Sequence, residues 1–287
     1  MNNSMRDKIR KLSVSATAPN GKEYLRISSS SIKDFAKHHN LKVREVEILA
    51  LEIGTTPDRY QRNVGTMGLE GQARLLRSKI VILGLGGLGG MVVELLARLG
   101  VGHLVVVDCD VFEETNMNRQ ILSQENNLGL SKTDAAIKRV ESVNQGIEVI
   151  AHFTILKEDN IEEIVDGADV VVDALDNIPT RLQVERATKK KGIPLVHGAI
   201  AGFIGQVLTI FPQDKGLEGI YGVSGKITRG IETELGTPGV TPAMVAAWQV
   251  QEVIKIVLKK GRPLRNRLLS IDALEGYMEI VNLYGKE

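Results

Sequence analysis

A chain of 287 residues with 43% hydrophobic content can bury one large α/β core, or such a core with a small appendage. Its net charge of only +1 excludes a global electrostatic argument for nucleic acid or an anionic membrane as the main partner. No apolar run is long enough to span a bilayer, the start MNNSMRDKIRKLSVS lacks the apolar core of a signal peptide, and a single cysteine, Cys109, excludes a disulfide framework or a Cys-rich zinc site within one chain; a soluble, cytoplasmic protein is expected.

Residues 1–56 read as a helical appendage of unassigned role. After the turn signal Pro19-Asn20-Gly21, a serine among Ser28 to Ser31 caps a helix whose apolar face is Ile32, Phe35 and Ala36. Asn40-Leu41 breaks that pattern, and Val43, Val46, Leu49 and Ala50 begin a second face that stops at Gly54. The pair has a superficial likeness to a helix-turn-helix, but two helices packing on the main domain or on a partner is the simpler reading. His38 and His39 are adjacent, point in different directions on a helix and make no metal pair. Arg59 to Asn63 (RYQRN) then precede a glycine-spaced link, Gly65 to Gly71, and a helix from Gln72 to Arg77.

The chain is organised around residues 80–120. The apolar run Ile80 to Leu83 turns through Gly84, Gly86, Gly87, Gly89 and Gly90 into a helical pattern that Gly100 can end, and a second strand, Leu104 to Val107, finishes in Asp108. This is a dinucleotide-type βαβ fingerprint: the glycines admit a phosphate close to the backbone, the helix start supplies unpaired N–H groups, and Asp108 accepts from ribose hydroxyls. Cys109, between Asp108 and Asp110, is expected to be unreactive, because neighbouring carboxylates raise a thiol pKa. The polar loop Asp110 to Gln120 lies where α/β ligands bind, at the carboxyl edge of the sheet.

Gly129-Leu130-Ser131-Lys132 opens a further helix with Ser131 as N-cap. Lys132 at a helix start opposes the dipole, a penalty that a ligand phosphate would remove. A strand over 148–153, a helix near 161–165 and the strand Val170 to Val172 follow, the last ending in Asp173-Ala174-Leu175-Asp176-Asn177, whose acids are candidate Mg²⁺ ligands. After a helix over 178–191 and a strand over 195–197, His197 is expected to be a hydrogen-bonded structural histidine. A strand over 206–211, a long functional loop over 212–239, a helix over 241–258 and strands over 268–271 and 277–283 complete the chain. The expected fold is Rossmann-like, a mostly parallel sheet with helices on both faces that continues into an antiparallel C-terminal part.

A glycine turn and a ribose acid alone suggest nicotinamide chemistry. Hydride transfer, however, needs no gathering of arginine, lysine and metal-binding acid around phosphates, whereas attack on a nucleotide α-phosphate does. A GxxxxGK[S/T] loop is missing, since Gly225-Lys226-Ile227 lacks both the spacing and the hydroxyl residue. From Arg59 to Leu283 the sequence resembles the ThiF/MoeB/HesA family, bacterial relatives of ubiquitin-activating enzymes, in the ordered motifs RYQRN (59–63), GLGGLG (84–89), DCDVFEETNMNRQ (108–120), GLSK (129–132), DALDN (173–177) and TPGVTPAMVAAWQVQEVIK (237–255).

The resemblance implies an adenylation domain over 57–287 that activates the C-terminal glycine carboxylate of a small ubiquitin-like sulfur-carrier protein with ATP and Mg²⁺ and releases pyrophosphate. By motif, Gly84, Gly86, Gly87 and Gly89 would cradle the nucleotide and Asp108 would hold its ribose. Arg119 and Lys132 would neutralise the phosphates and transition state, Asn116 and Gln120 would position nucleotide and carboxylate, and Asp176 would bind magnesium with Asp110 as helper. Arg62 would reach the γ-phosphate in the other subunit of a homodimer. The family's zinc CxxC pairs and its loop cysteine are missing, with Ser224, Thr228, Thr233 and Thr237 nearest in place, so no zinc is expected and the chain looks closest to the MoeB-like, adenylate-only mode. Adenylation of a threonylcarbamoyladenosine-modified tRNA or a peptide, and a non-catalytic scaffold, are the competing expectations, nucleic acid being disfavoured by the near-neutral charge.

Overall fold

Strand β4 (Lys79–Leu83) shows how the sheet divides the core. Ile80 and Ile82 point into one apolar cluster, and Val81 and Leu83 into another on the opposite face. Strand β5 (His103–Asp108) repeats the alternation beside it, with Leu104 and Val106 on the first side and Val105 and Val107 on the second. Helices α5 (Gly87–Leu99), α6 (Lys132–Val143) and α9 (Val240–Leu258) cover the first face, and α7 (Glu158–Val165) and α8 (Ile178–Lys191) the second. Burial on both faces explains why these strands read as continuous apolar runs.

The computed structural model describes residues 3–221 and 235–283. Its eight-stranded sheet has the order β11-β10-β9-β8-β7-β4-β5-β6. Strands β8 (Leu195–Ala201), β7 (Val170–Asp173), β4, β5 and β6 (Glu148–Phe153) run parallel. β9 (Ile204–Ile210) pairs antiparallel with β8, β10 (Arg267–Asp272) with β9 and β11 (Tyr277–Asn282) with β10, so the Rossmann-like sheet does continue into an antiparallel part as expected. The chain leaves β4 toward β5 and β6, then crosses back to β7 and β8. This reversal opens a crevice at the carboxyl ends of β4 and β7, the usual ligand position in such sheets. Among the described residues no helix is long and apolar enough to cross a membrane.

Two segments depart from the sequence expectation. The N-terminal segment has the two expected helices, α2 (Ser29–His39), capped by Ser28 and closed by Asn40, and α3 (Val43–Glu52). It also has α1 (Asn3–Leu12) and a three-stranded sheet of β1 (Val14–Thr17), β2 (Glu23–Ile27) and β3 (Thr55–Pro57). β3 joins parallel to β2 only after two intervening helices, a pairing no local pattern announces. The likeness to a helix-turn-helix ends with α3, whose Arg44, Val46, Glu47, Leu49, Ala50 and Leu51 are buried, leaving no free recognition face. The second departure is α4 (Gln61–Arg77), helical through the expected glycine link apart from a kink at Gly68, φ 75°. Tertiary contacts outweigh the glycines' low propensity there: Val64 and Leu69 pack against a cluster of Leu51, Tyr60, Ala73 and Leu76, and the Lys260 ammonium bonds Thr66 O at 3.0 Å.

Helix α3 docks by polar contacts as well. Arg44 Nη1 donates to Gly102 O at 2.5 Å, and the buried Glu47 carboxylate lies 3.4 Å from Arg59 Nε and accepts from Tyr60 OH at 3.3 Å. Burial pushes the Glu47 carboxyl up to about 7, opposed in part by Arg59, Tyr60 and Arg44. A carboxyl raised in the fold contributes stability that is complete below its ordinary pKa and lost as pH rises through the folded value. Between about pH 4 and about pH 8, Glu47→Gln should therefore gain on the native chain by roughly 3 kcal/mol, measured by urea unfolding at each pH. A gap that stays level with pH would show that Glu47 is charged throughout.

Candidate active site

The crevice is a cavity of about 410 Å³ whose lining includes Gly84, Gly86, Gly87, Asp108, Asp110, Arg119, Gln120, Lys132 and Asp176. Eight of the ten residues expected to hold the nucleotide from the sequence, Gly84, Gly86, Gly87, Asp108, Asp110, Arg119, Gln120 and Lys132, are thus brought onto one wall system, together with the expected metal ligand Asp176.

The floor is the glycine turn. Gly84 has φ 88°, and a Cβ there would stand 2.7 Å from Ala174 O, so strand β4 can turn this tightly beside β7 only without a side chain. The Asp108 carboxylate ties the turn to β5, accepting from Leu85 N–H at 2.6 Å and from Asp110 N–H at 2.9 Å. A carboxylate has about four lone-pair directions, so two remain for hydroxyl donors. Helix α5 begins at Gly87 with no side-chain cap, leaving its first N–H groups without a capping partner where Gly86 and Gly87 line the cavity.

The cationic wall comes from two segments. Lys132 stands at the first position of α6, capped by Ser131 as expected, and is only 6% exposed; its ammonium lies 3.0 Å from Asp110 Oδ2. Arg119 is held by Thr115 O and Asn118 Oδ1, each 2.9 Å from Nη1. Gln120 is 5% exposed and its Oε1 has no partner among the described residues. A buried, unpaired acceptor beside a cavity is costly in isolation and points to a donor on a bound molecule.

Three expected site residues are elsewhere. Asn116 is not on the cavity wall; its Oδ1 accepts from Glu113 N–H at 3.1 Å and shapes the loop that carries Arg119. Gly89 is a packing glycine, since a Cβ there would come within 1.8 Å of Gly84 O. Arg62, exposed on α4, does not line the cavity of its own chain. Thr237 does line it, while Ser224, Thr228 and Thr233 lie outside the described residues.

Cys109 behaves as expected from its neighbours: burial, then Asp110 and Asp108, push its thiol up, away from nucleophilic chemistry. The ligand atoms of Asp108, Cys109 and Asp110 lie within 4.8 Å of one another, and the three residues line the cavity together with Asp176.

The sequence reading missed what lies under the Asp176 turn. Arg181, 6% exposed, lines the cavity and donates to Leu175 O and, at 3.3 Å, to Gly198 O. Asp173 bonds His197 Nδ1 at 2.7 Å, and His197 Nε2 stands 3.3 Å from Tyr221 OH, so His197 is the structural histidine expected. Burial pushes the His197 imidazole down and keeps it neutral. Burial would raise Asp173 too, but Arg181, His197 and the Leu175 N–H outweigh it and hold the carboxyl low. The available signal for Arg181 was its place one helical turn after the N-cap Asn177, facing the same turn as Asp176.

The fold and cavity define a nucleotide-binding α/β protein with a cationic phosphate wall. The ThiF family model matches residues 60–287, and the chain belongs to that family. It is 39% identical over 79% of its length to the SAMP-activating enzyme E1 of Haloferax volcanii, covering 85% of that protein. It is 38% identical over 76% of its length to the sulfur carrier protein adenylyltransferase of Thermus thermophilus, covering 84% of it. The crystal structure of E. coli MccB with MccA-N7isoASN superposes with a TM-score of 0.68 at 26% identity, over 79% of this chain and 71% of that one. The chain is an adenylyltransferase, and its family uses ATP. The unpaired Gln120 Oε1, the uncapped helix start and the buried Lys132 fit that nucleotide.

Proposed function

We propose that this chain adenylates the C-terminal glycine carboxylate of a small ubiquitin-like sulfur-carrier protein, for sulfur transfer in cofactor synthesis of the molybdenum, tungsten or thiamine type. The observation that carries the reading is the convergence of Lys132, Arg119, Gln120, Asp108 and Asp176 on one cavity floored by the glycine turn. The two relatives at 38–39% identity, a SAMP-activating enzyme E1 and a sulfur carrier protein adenylyltransferase, support the carrier as substrate class.

In this reading Asp108 accepts from the ribose, and the N–H groups at the start of α5 with Lys132 and Arg119 hold the phosphates. The carrier carboxylate, already ionised at neutral pH, attacks the α-phosphorus; a C–O–P bond forms, the bond to the β-phosphate oxygen breaks, and pyrophosphate leaves with the electron pair. No base is needed. Lys132 and Arg119 face the charge that develops on the α-phosphate oxygens. Asp176, with Asp110 as helper, would hold Mg²⁺, which when bound supplies charge neutralisation on the phosphates. The reaction stops at the acyl-adenylate, the MoeB-like mode, with residues 57–287 as the adenylation domain and 1–56 as its appendage. The protein acts in the cytoplasm as a homodimer in which Arg62 reaches the γ-phosphate of the partner's site. Arg62's exposure, and the exposed apolar side chains Val111, Met117, Ile121, Leu128 and Leu130 beside the Arg119 loop, support this arrangement.

Purified protein should exchange labelled pyrophosphate into ATP only when a carrier ending in Gly-Gly is present. The superposition on E. coli MccB, crystallised with MccA, leaves one second reading, adenylation of a peptide. Exchange supported by a short peptide and not by a folded carrier would replace the first reading with the second.

A further inference from the structure

Four consecutive residues leading into α4, Asp58 to Gln61, are each held by the N-terminal segment. Asp58 Oδ1 lies 3.1 Å from Arg26 Nε on β2. Arg59 Nε lies 3.4 Å from Glu47 Oε1 on α3. Tyr60, fully buried, donates its hydroxyl to Glu47 Oε2 at 3.3 Å and accepts there from the core residue Asn144 at 2.9 Å. Gln61 Nε2 donates to Tyr24 OH on β2. The backbone is gripped as well, since Thr55 to Pro57 form the strand that pairs with β2. The next residue is Arg62, exposed to solvent.

A long cationic side chain that must act outside its own subunit loses rotamer entropy on engaging a phosphate and gains least when its backbone is also loose. Fixing the preceding turn removes the backbone share of that cost. From these contacts we infer that the N-terminal segment is a positioning device for Arg62: Tyr24, Arg26 and Glu47 lock Asp58 to Gln61, so that the Arg62 guanidinium is presented in a set direction to the γ-phosphate in a second copy of the chain. The inference rests on the cross-subunit reading of Arg62 and assigns residues 1–56 a task in catalysis.

The test uses full-length protein with Mg²⁺ and compares the affinities of ATP and ADP, whose ratio isolates the γ-phosphate and needs no carrier. Arg62→Ala should lower the preference for ATP by about tenfold, the scale of one charge-assisted contact. Tyr24→Phe combined with Arg26→Gln, both half-buried positions outside the cavity, should lower it severalfold while leaving the ADP affinity unchanged, and Arg26→Lys should keep it near native. Added to Arg62→Ala, the double change should cost nothing further, because both act through one group. If Arg62→Ala lowers the preference and the double change does not, or if the losses multiply, the positioning role is overturned and the reading of Arg62 stands. An unchanged preference in Arg62→Ala overturns the cross-subunit reading itself, and the positioning role with it.

Discussion

Lys132→Ala should slow acyl-adenylate formation by roughly 100- to 1,000-fold, as loss of one preorganised charge at a transition state does elsewhere. Lys132 is 6% exposed and seated on the first turn of α6, where the helix dipole disfavours a cation; its carboxylate partner among the described residues, Asp110, stands 3.0 Å away and is itself exposed. Truncation therefore removes a positive charge from a desolvated wall and leaves Asp110 facing the phosphates uncompensated. The second effect repels nucleotide in the ground state, so the KM for ATP should rise as well, though by less than kcat falls if the ammonium acts mainly on developing charge. Single-turnover quench measurements with saturating ATP separate the two. A rate within a few-fold of native would take Lys132 out of the chemistry and leave it a structural partner of Asp110. Arg119→Ala belongs to the same class, with a loss of similar kind, and its guanidinium is already oriented by Thr115 O and Asn118 Oδ1.

Much of this site could be read from sequence because its parts are local. A strand ending in glycines, an acid closing the next strand and a lysine after a capping serine each occupy a few adjacent residues, and strand termini at one sheet edge bring them together whatever lies between. The sheet strands were legible for a similar reason: burial on both faces writes an unbroken apolar run. The features that escaped depend on partners distant in sequence. β3 exists because β2, on the far side of two helices, offers it hydrogen bonds. The first turns of α4 hold because Lys260 and the cluster around Tyr60 brace a glycine-rich segment. Arg181 is placed by the carbonyls of Leu175, in the turn after β7, and Gly198, within β8. Asn116 is placed by its motif as a ligand contact, and its amide oxygen also accepts from Glu113 N–H, which shapes the loop that carries Arg119.

Gly89→Ala should abolish detectable nucleotide binding and lower the melting temperature, although Gly89 touches no part of the cavity. The added methyl would stand 1.8 Å from Gly84 O and 3.3 Å from the Ala174 side chain, so it meets backbone before it meets anything that can rotate away. Relief requires α5 to lift from β4, or the Gly84 carbonyl to turn, and Gly84 is fixed by its own donation to Val107 O at 2.9 Å and its close approach to Ala174. Overpacking at a rigid contact costs about 1–3 kcal/mol and sometimes more, and a backbone collision belongs at the upper end. The movement that relieves it displaces the N–H groups of Gly86 and Gly87, which line the cavity, so binding and stability should fail together. Gly86→Ala provides the comparison. A Cβ there meets only the Gln120 amide, at 3.8 Å, so its fold should survive while the methyl occupies cavity space. Calorimetric titration with ATP beside thermal unfolding distinguishes the two glycines: Gly86→Ala should weaken binding at a nearly native melting temperature, whereas a Gly89→Ala protein that binds ATP normally would show that α5 can shift without carrying the cradle with it.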